Sequence, residues 1–159
     1  MKFLFIVQGE GRGHFTQAIT LEDMLLRNGH EVVEVLVGKS SSRTLPGFFN
    51  RSIQAPVKRF TSQNFLHTTE NKRANMKKSF FYNLIRTPEY FRSMCYIDQR
   101  IKETGAEVVI NFYELLTGLT YALFRPSVPY VCVGHQYLFL HKNFEFPRNS
   151  MLQHSILRF

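Results

Sequence analysis

The sequence predicts an α/β domain: a parallel sheet covered by helices on both faces. Three observations carry this. Short apolar runs recur at 2–8, 31–37, 107–112 and 130–133. Segments with helical apolar spacing separate them. The first run stops abruptly at a glycine-rich loop, Gly9-Glu10-Gly11-Arg12-Gly13-His14, and a helical pattern follows. Strands that alternate with helices pair in parallel, with right-handed crossovers that put helices on both faces. A length of 159 residues suits one such domain, 1–159, with enough chain to bury a core.

Each element has its own signal. The first strand is expected at 2–8. The glycines of the loop let the backbone turn sharply and let a ligand approach. Ala18, Leu21, Met24 and Leu25 recur at helical spacing, so a helix is expected over 15–28, closed by Asn28-Gly29. The second strand is 31–37. A polar stretch, 39–52, contains Pro46-Gly47 and reads as a loop with room for a short helix. Residues 53–60 form a short third strand, followed by a polar connection over 61–73. Helices are expected at 74–86 and 88–103. Thr87-Pro88 separates them, because proline suits a first helical turn. Gly105 ends the second. Strand 107–112, helix 115–124 and strand 130–133 follow, and a helix is expected to begin at Met151.

The composition narrows the classes. No apolar run approaches the roughly 20 residues that span a bilayer. The five apolar residues after Lys2 are too few for a signal-peptide core, so a cytoplasmic protein is expected. Cys95 and Cys132 read as buried free thiols. No cysteine–histidine cluster has zinc spacing. The net charge of +8 concentrates in the middle of the chain. There, Lys58, Arg59, Lys72, Arg73, Lys77, Lys78, Arg86, Arg92, Arg100 and Lys102 face only Glu70, Glu89 and Asp98. Aromatic residues interleave with these cations. Two readings stand side by side: a solvated helix face over an aromatic core, or a surface for an anionic partner. Lys77, Lys78 and Arg86 are the candidate contacts for an anionic membrane. Nucleic acid is not the expected partner.

The glycine loop excludes one chemistry and leaves others open. No Gly-Lys-Ser/Thr follows the glycines, so the P-loop reading fails. The dinucleotide fingerprint is half met, because Gly9, Gly11 and Gly13 are followed by His14. The second strand runs into Gly38-Lys39-Ser40-Ser41-Ser42-Arg43. That tail suits a ribose 2′-phosphate, so an NADP-dependent oxidoreductase remains an alternative. In parallel sheets the ligand crevice lies at the carboxyl ends of the strands. Three polar constellations fall there: Gly9–His14, Asn111–Glu114 and Gly134-His135-Gln136. All three are expected on one sheet edge.

These stretches together resemble the N-terminal half of GT-B glycosyltransferases, in particular the MurG and galactolipid synthase relatives. The resemblance rests on three segments. The first is the strand, glycine loop and Gly13-His14, with the helix that ends in Asn28-Gly29-His30-Glu31-Val32. The second is Ala106 to Glu114, and the third is Val128 to Gln136. It covers most of 1–136 and is weakest over 40–100. It implies a Rossmann-like fold that forms one half of a GT-B enzyme. It also implies that the partner is a C-terminal donor-binding domain beyond this chain, and that the nucleotide-sugar enters as a substrate with no separate cofactor.

What the resemblance implies for chemistry follows the strand ends. An acceptor hydroxyl, on a sugar or a lipid-linked sugar, attacks the anomeric carbon while nucleotide diphosphate leaves. His14 is the candidate base, because a neutral imidazole suits that task near pH 7. Glu114 is the candidate that orients or charge-balances it, with Glu10 as a second acid. Gly11, Arg12, Gly13, His135 and Gln136 are the candidate substrate contacts. The chain has only two aspartates, Asp23 and Asp98, and no Asp-x-Asp pair to hold a metal–diphosphate complex. A metal-independent hexosyltransferase is therefore expected in the two-domain form, with the isolated domain inactive. A further alternative is the non-catalytic, membrane-docking half of a split glycosyltransferase.

Overall fold

The computed structural model describes residues 1–39, 44–63 and 76–134, together with Lys142. In chain order the elements are β1 (Lys2–Gln8), α1 (Arg12–Arg27), β2 (Glu31–Lys39), α2 (Gly47–Ser52) and β3 (Val57–Thr61). Then come α3 (Met76–Ile85), α4 (Thr87–Glu103), β4 (Val108–Phe112), α5 (Leu115–Phe124) and β5 (Tyr130–Cys132). The strands form one sheet in the order β3-β2-β1-β4-β5. Each neighbouring pair is parallel. The chain builds outward from β1 to β3, then returns to place β4 against the other side of β1. That reversal leaves a crevice at the carboxyl ends of β1 and β4.

The expected Rossmann-like fold is what forms, and the sequence shows why. In β1, Phe3, Phe5 and Val7 face one layer, and Leu4 and Ile6 face the other. A strand buried on both faces reads as a continuous apolar run. The first layer packs Phe15 and Ala18 of α1 and Phe49 of α2 against the sheet. The second packs Tyr90, Met94, Ile97 and Ile101 of α4 with Leu116 of α5. In β2 the register slips once, so that Phe3 pairs with Val32 and Leu4 with Glu34. The slip lets Glu34 enter the α4 side without breaking the apolar alternation that follows. There its carboxylate takes Arg100 through both oxygens, at 2.8 and 3.0 Å, and Lys58 at 2.8 Å.

Several boundaries differ from expectation. Helix α1 begins at Arg12, so Gly13 and His14 stand in its first turn and not in the preceding loop. Its buried face runs through His14, Phe15, Ala18 and Glu22, and Met24 is exposed. Strand β2 continues to Lys39 because β3 pairs with its last five residues. The third strand is 57–61 and starts four residues later than the expected 53–60, since α2 and its exit occupy 47–56. Cys95 is exposed on α4 and Cys132 is half-buried, so the expected burial of both thiols is not met. The helix expected from Met151 lies outside the described residues, as does most of the 61–73 connection.

Candidate functional site

The loops after β1, β4 and β5 lie on one sheet edge, since all five strands run the same way. The ends of β2 and β3 join them there. Gly9 starts the construction. Its N–H donates to the Gly38 carbonyl at 2.7 Å, across the β1–β2 gap. A Cβ at residue 9 would stand 2.5 Å from that same oxygen, so only glycine allows the two strand ends to close. Gly11 is then the N-cap of α1, in an extended conformation and without a side-chain cap. No acidic residue stands in the first turn, and Arg12 is exposed there. Nothing lies within 4 Å of where a Cβ of Gly13 would be. The helix start is thus open, positive by its dipole, and flanked by a guanidinium.

His14 turns inward from this helix start and is 7% exposed. Its ring stacks on Tyr113, with centroids 5.9 Å apart and planes 15° from parallel. Tyr113 comes from the loop after β4 and has φ of +60°, the left-handed region that non-glycine residues rarely enter. Asn111 holds that loop. Its Oδ1 accepts from the Glu114 N–H at 2.8 Å, and its Nδ2 donates to the Glu114 carbonyl at 3.1 Å. The Asn111 carbonyl also accepts the Val133 N–H at 2.7 Å, which ties in the exit of β5.

Glu114 is fully buried at the N-cap of α5, where its Oε1 accepts the Leu116 N–H at 3.2 Å. The same oxygen accepts the Ser62 hydroxyl at 2.6 Å. Its other oxygen, Oε2, has no hydrogen-bond partner among the described residues and lies against Gly38. Burial pushes this carboxyl up from its ordinary 4.5 to about 7. The hydrogen bonds from Ser62 and Leu116 pull the other way, and the charge of Glu10 adds to the rise. So the Glu114 carboxyl reaches toward the ends of β2 and β3, while the ring that meets His14 is that of Tyr113.

The remaining predicted residues divide. Gly11, Arg12, Gly13, His14 and Glu114 gather at the one edge. His135 and Gln136 lie outside the described residues, although Gly134 follows β5 at this edge. Lys77 and Lys78 belong to α3, and their side chains also lie outside what is described. Arg86 stands between α3 and α4, paired with Glu89 at 3.4 Å and 4.7 Å from the Tyr82 ring centroid. Among the described residues no three His, Cys, Asp or Glu side chains gather to hold a metal. Sequence reasoning missed Ser62, Gly38 and the positive φ of Tyr113. Nothing in a polar stretch marks Ser62; the Asn111–Glu114 stretch reads as a polar constellation at the strand end, and its role as a buried clamp is not legible there.

The crystal structure of Acinetobacter baumannii MurG superposes with a TM-score of 0.51 at 15% identity, over 83% of this chain and 34% of that one. At that identity the likeness is one of fold, and the chain spans about a third of that protein's length. No curated protein sequence matches the chain. The family model described as Glycosyl transferase family 1 matches residues 1–157.

Proposed function

The chain belongs to glycosyl transferase family 1, and on that premise we propose that it is the acceptor-side half of a metal-independent sugar-nucleotide transferase, completed by a separate donor-binding domain. The observation that carries this is the placement of His14. It stands in the first turn of α1 at the β1–β4 reversal, within the crevice where parallel sheets hold their ligands.

In this reading the acceptor hydroxyl lies at the His14 imidazole, which takes its proton as the hydroxyl oxygen bonds to the anomeric carbon of a hexose. The bond from that carbon to the nucleotide diphosphate breaks, and the electron pair leaves with the phosphate oxygen. The open start of α1, with Arg12 beside it, favours negative charge developing nearby. Glu114 holds the loop that carries Tyr113 rather than sharing a proton with the base. Family membership sets aside the NADP-dependent oxidoreductase.

The acceptor's chemistry is suggested by a second surface. On α3, Phe81, Leu84 and Ile85 are 62, 55 and 78% exposed. These residues lie at i, i+3 and i+4 and share a helix face. An exposed apolar face on a helix whose sequence also carries Lys77 and Lys78, with Arg86 just after it, suits the headgroup region of an anionic membrane. We therefore place the enzyme at the cytoplasmic face of such a membrane, acting on a lipid-linked acceptor. Among the described residues no helix is long and apolar enough to cross it.

The test is kinetic. In the two-domain enzyme, His14→Ala lowers kcat by roughly two to four orders of magnitude. A kcat within twofold of the parent would remove His14 as the base. Turnover by the purified 159-residue chain alone would overturn the assignment of the donor site to another domain.

A further inference from the structure

Tyr113 has no assigned part in the reading above, yet the structure holds it in a costly conformation. An aromatic residue in the left-handed region persists only where its surroundings over-determine it. Here they do. Phe112 before it is 1% exposed in the core, and Glu114 after it is 1% exposed at the α5 cap. The Asn111 side chain spans the turn, bonding both the N–H and the carbonyl of Glu114. A five-membered or aliphatic side chain at 113 would feel the same backbone cost. What the conformation delivers is the ring itself, laid 15° from parallel over His14. A stacked ring adds a face-on restraint to the imidazole's χ2, a broad torsion with little intrinsic preference.

We propose that Tyr113 is a positioning residue: the Asn111–Glu114 bracket holds its ring, and the ring holds the plane of the His14 imidazole so that one nitrogen faces the crevice. This deepens the assignment of His14 as base and rests on it for the kinetic part, but not for the structural part. The loop after β4 thereby acts on the first turn of α1, across the point where the sheet reverses.

The experiment compares Tyr113→Phe, Tyr113→Leu and Tyr113→Gly, reading the ring-proton resonances of His14 in the 159-residue chain by NMR. The resonances are assigned by their loss in His14→Gln. Tyr113→Gly relieves the backbone, so its melting temperature stays at or above the parent's while the ring is lost. With Gly or Leu at 113, the His14 ring loses its fixed plane, and its resonances shift and broaden. Tyr113→Phe keeps the ring and recovers the parent pattern. In the two-domain enzyme, Gly and Leu lower kcat by about ten- to a hundredfold with KM within about twofold, as expected when a reacting group is misplaced, and Phe recovers it. Unchanged His14 resonances in Tyr113→Gly would overturn the proposal, as would shifted resonances with an unchanged kcat. If His14→Ala itself leaves kcat intact, the base assignment fails, and the resonance shifts still decide whether Tyr113 holds the ring.

Discussion

Ser62 and Glu114 stand 52 residues apart in sequence and meet at 2.6 Å, hydroxyl to carboxyl oxygen, inside the protein. The contact ties the exit of β3, at one side of the sheet, to the first turn of α5 on the other side of β1. The Ser62 N–H meanwhile donates to the Lys39 carbonyl at 3.1 Å. One carboxyl thus gathers the ends of β2, β3 and β4 around the crevice. Its position is structural before it is chemical, and its proton is the first thing to test.

The pH dependence follows from the direction of the shift. Glu114 titrates near 4.5 when unfolded and near 7 when folded. Below about pH 4.5 the carboxyl is neutral in both states and contributes no penalty. As pH rises toward 7, the unfolded chain ionises and the folded one resists. Stability therefore falls across that window, by about 3 kcal/mol for a shift of this size. Above pH 7 the penalty is constant. Glu114→Gln keeps an oxygen for Ser62 and Leu116 and cannot ionise. Urea titrations at pH 5 and 8 should show a smaller loss for Gln than for the parent. An identical loss in both proteins would mean that Glu114 ionises at its ordinary pH.

Two glycines make opposite predictions. A Cβ at Gly38 would fall inside contact with Glu114 Oε2 and stand 2.8 Å from Phe60 Cζ. Neither neighbour has room to move, so Gly38→Ala should cost about 1–3 kcal/mol. Gly13 faces open space in the first turn of α1. Gly13→Ala should therefore leave the melting temperature unchanged or raise it, because alanine favours helix. If Gly13 also admits the acceptor, the same substitution raises KM in the two-domain enzyme. Thermal melts and initial rates on one pair of variants separate packing from binding.

These examples show what the sequence could reveal. The β1 run, the Asn28-Gly29 close of α1 and the Thr87-Pro88 break were readable because each depends on local chemistry. Gly29 indeed has φ of +73°, and Pro88 sits in the first turn of α4. The start of α1 was not readable. Gly11 and Gly13 are both poor helix formers, so the local sequence does not mark which of them joins the helix. The convergence of Gly9–His14 and Asn111–Glu114 at one edge followed from parallel pairing alone. The inward turn of Glu114 did not, because Ser62 carries no periodic signal. Glu34 did carry one: an acid within the apolar run 32–37 needs a buried partner.

That partner, Arg100, sets the next prediction. The Glu34 side chain is 5% exposed and takes both the Arg100 guanidinium and Lys58. Arg100 is itself 18% exposed, whereas Lys58 is 44% exposed. Glu34→Ala should cost about 1.5–3 kcal/mol, because it removes the buried carboxylate that Arg100 bridges and leaves that guanidinium only its pair with the half-exposed Glu103. Lys58→Ala removes a solvated partner and should cost no more than about 1 kcal/mol. Urea midpoints for the two variants give the comparison. Equal costs would show that Glu34 acts through Lys58 of β3, and that its pair with Arg100 adds little to holding α4 against β2.

The basic middle of the chain supplies the last prediction. A helix that binds a membrane surface needs an apolar face that the core does not use. On α3, Phe81, Leu84 and Ile85 meet that condition, since all three are more than half exposed. The second layer of the core is built from α4 and α5 without them. Burial of this face among acyl chains gains by its area, and each nearby cation adds about 1 kcal/mol on an anionic leaflet. Arg86 is partly engaged by Glu89, which reduces its share of the charge response. The chain should therefore float with anionic vesicles, and binding should weaken as salt rises, because the Debye length shrinks to about 3 Å at 1 M. Reversal of Lys77 and Lys78 to Glu should weaken flotation while leaving the melting temperature in place, and Ile85→Asp should weaken it at every salt concentration. Absence of flotation even with strongly anionic vesicles would return α3 to the reading of a solvated face. Flotation indifferent to both salt and charge reversal would assign the contact to the apolar residues alone.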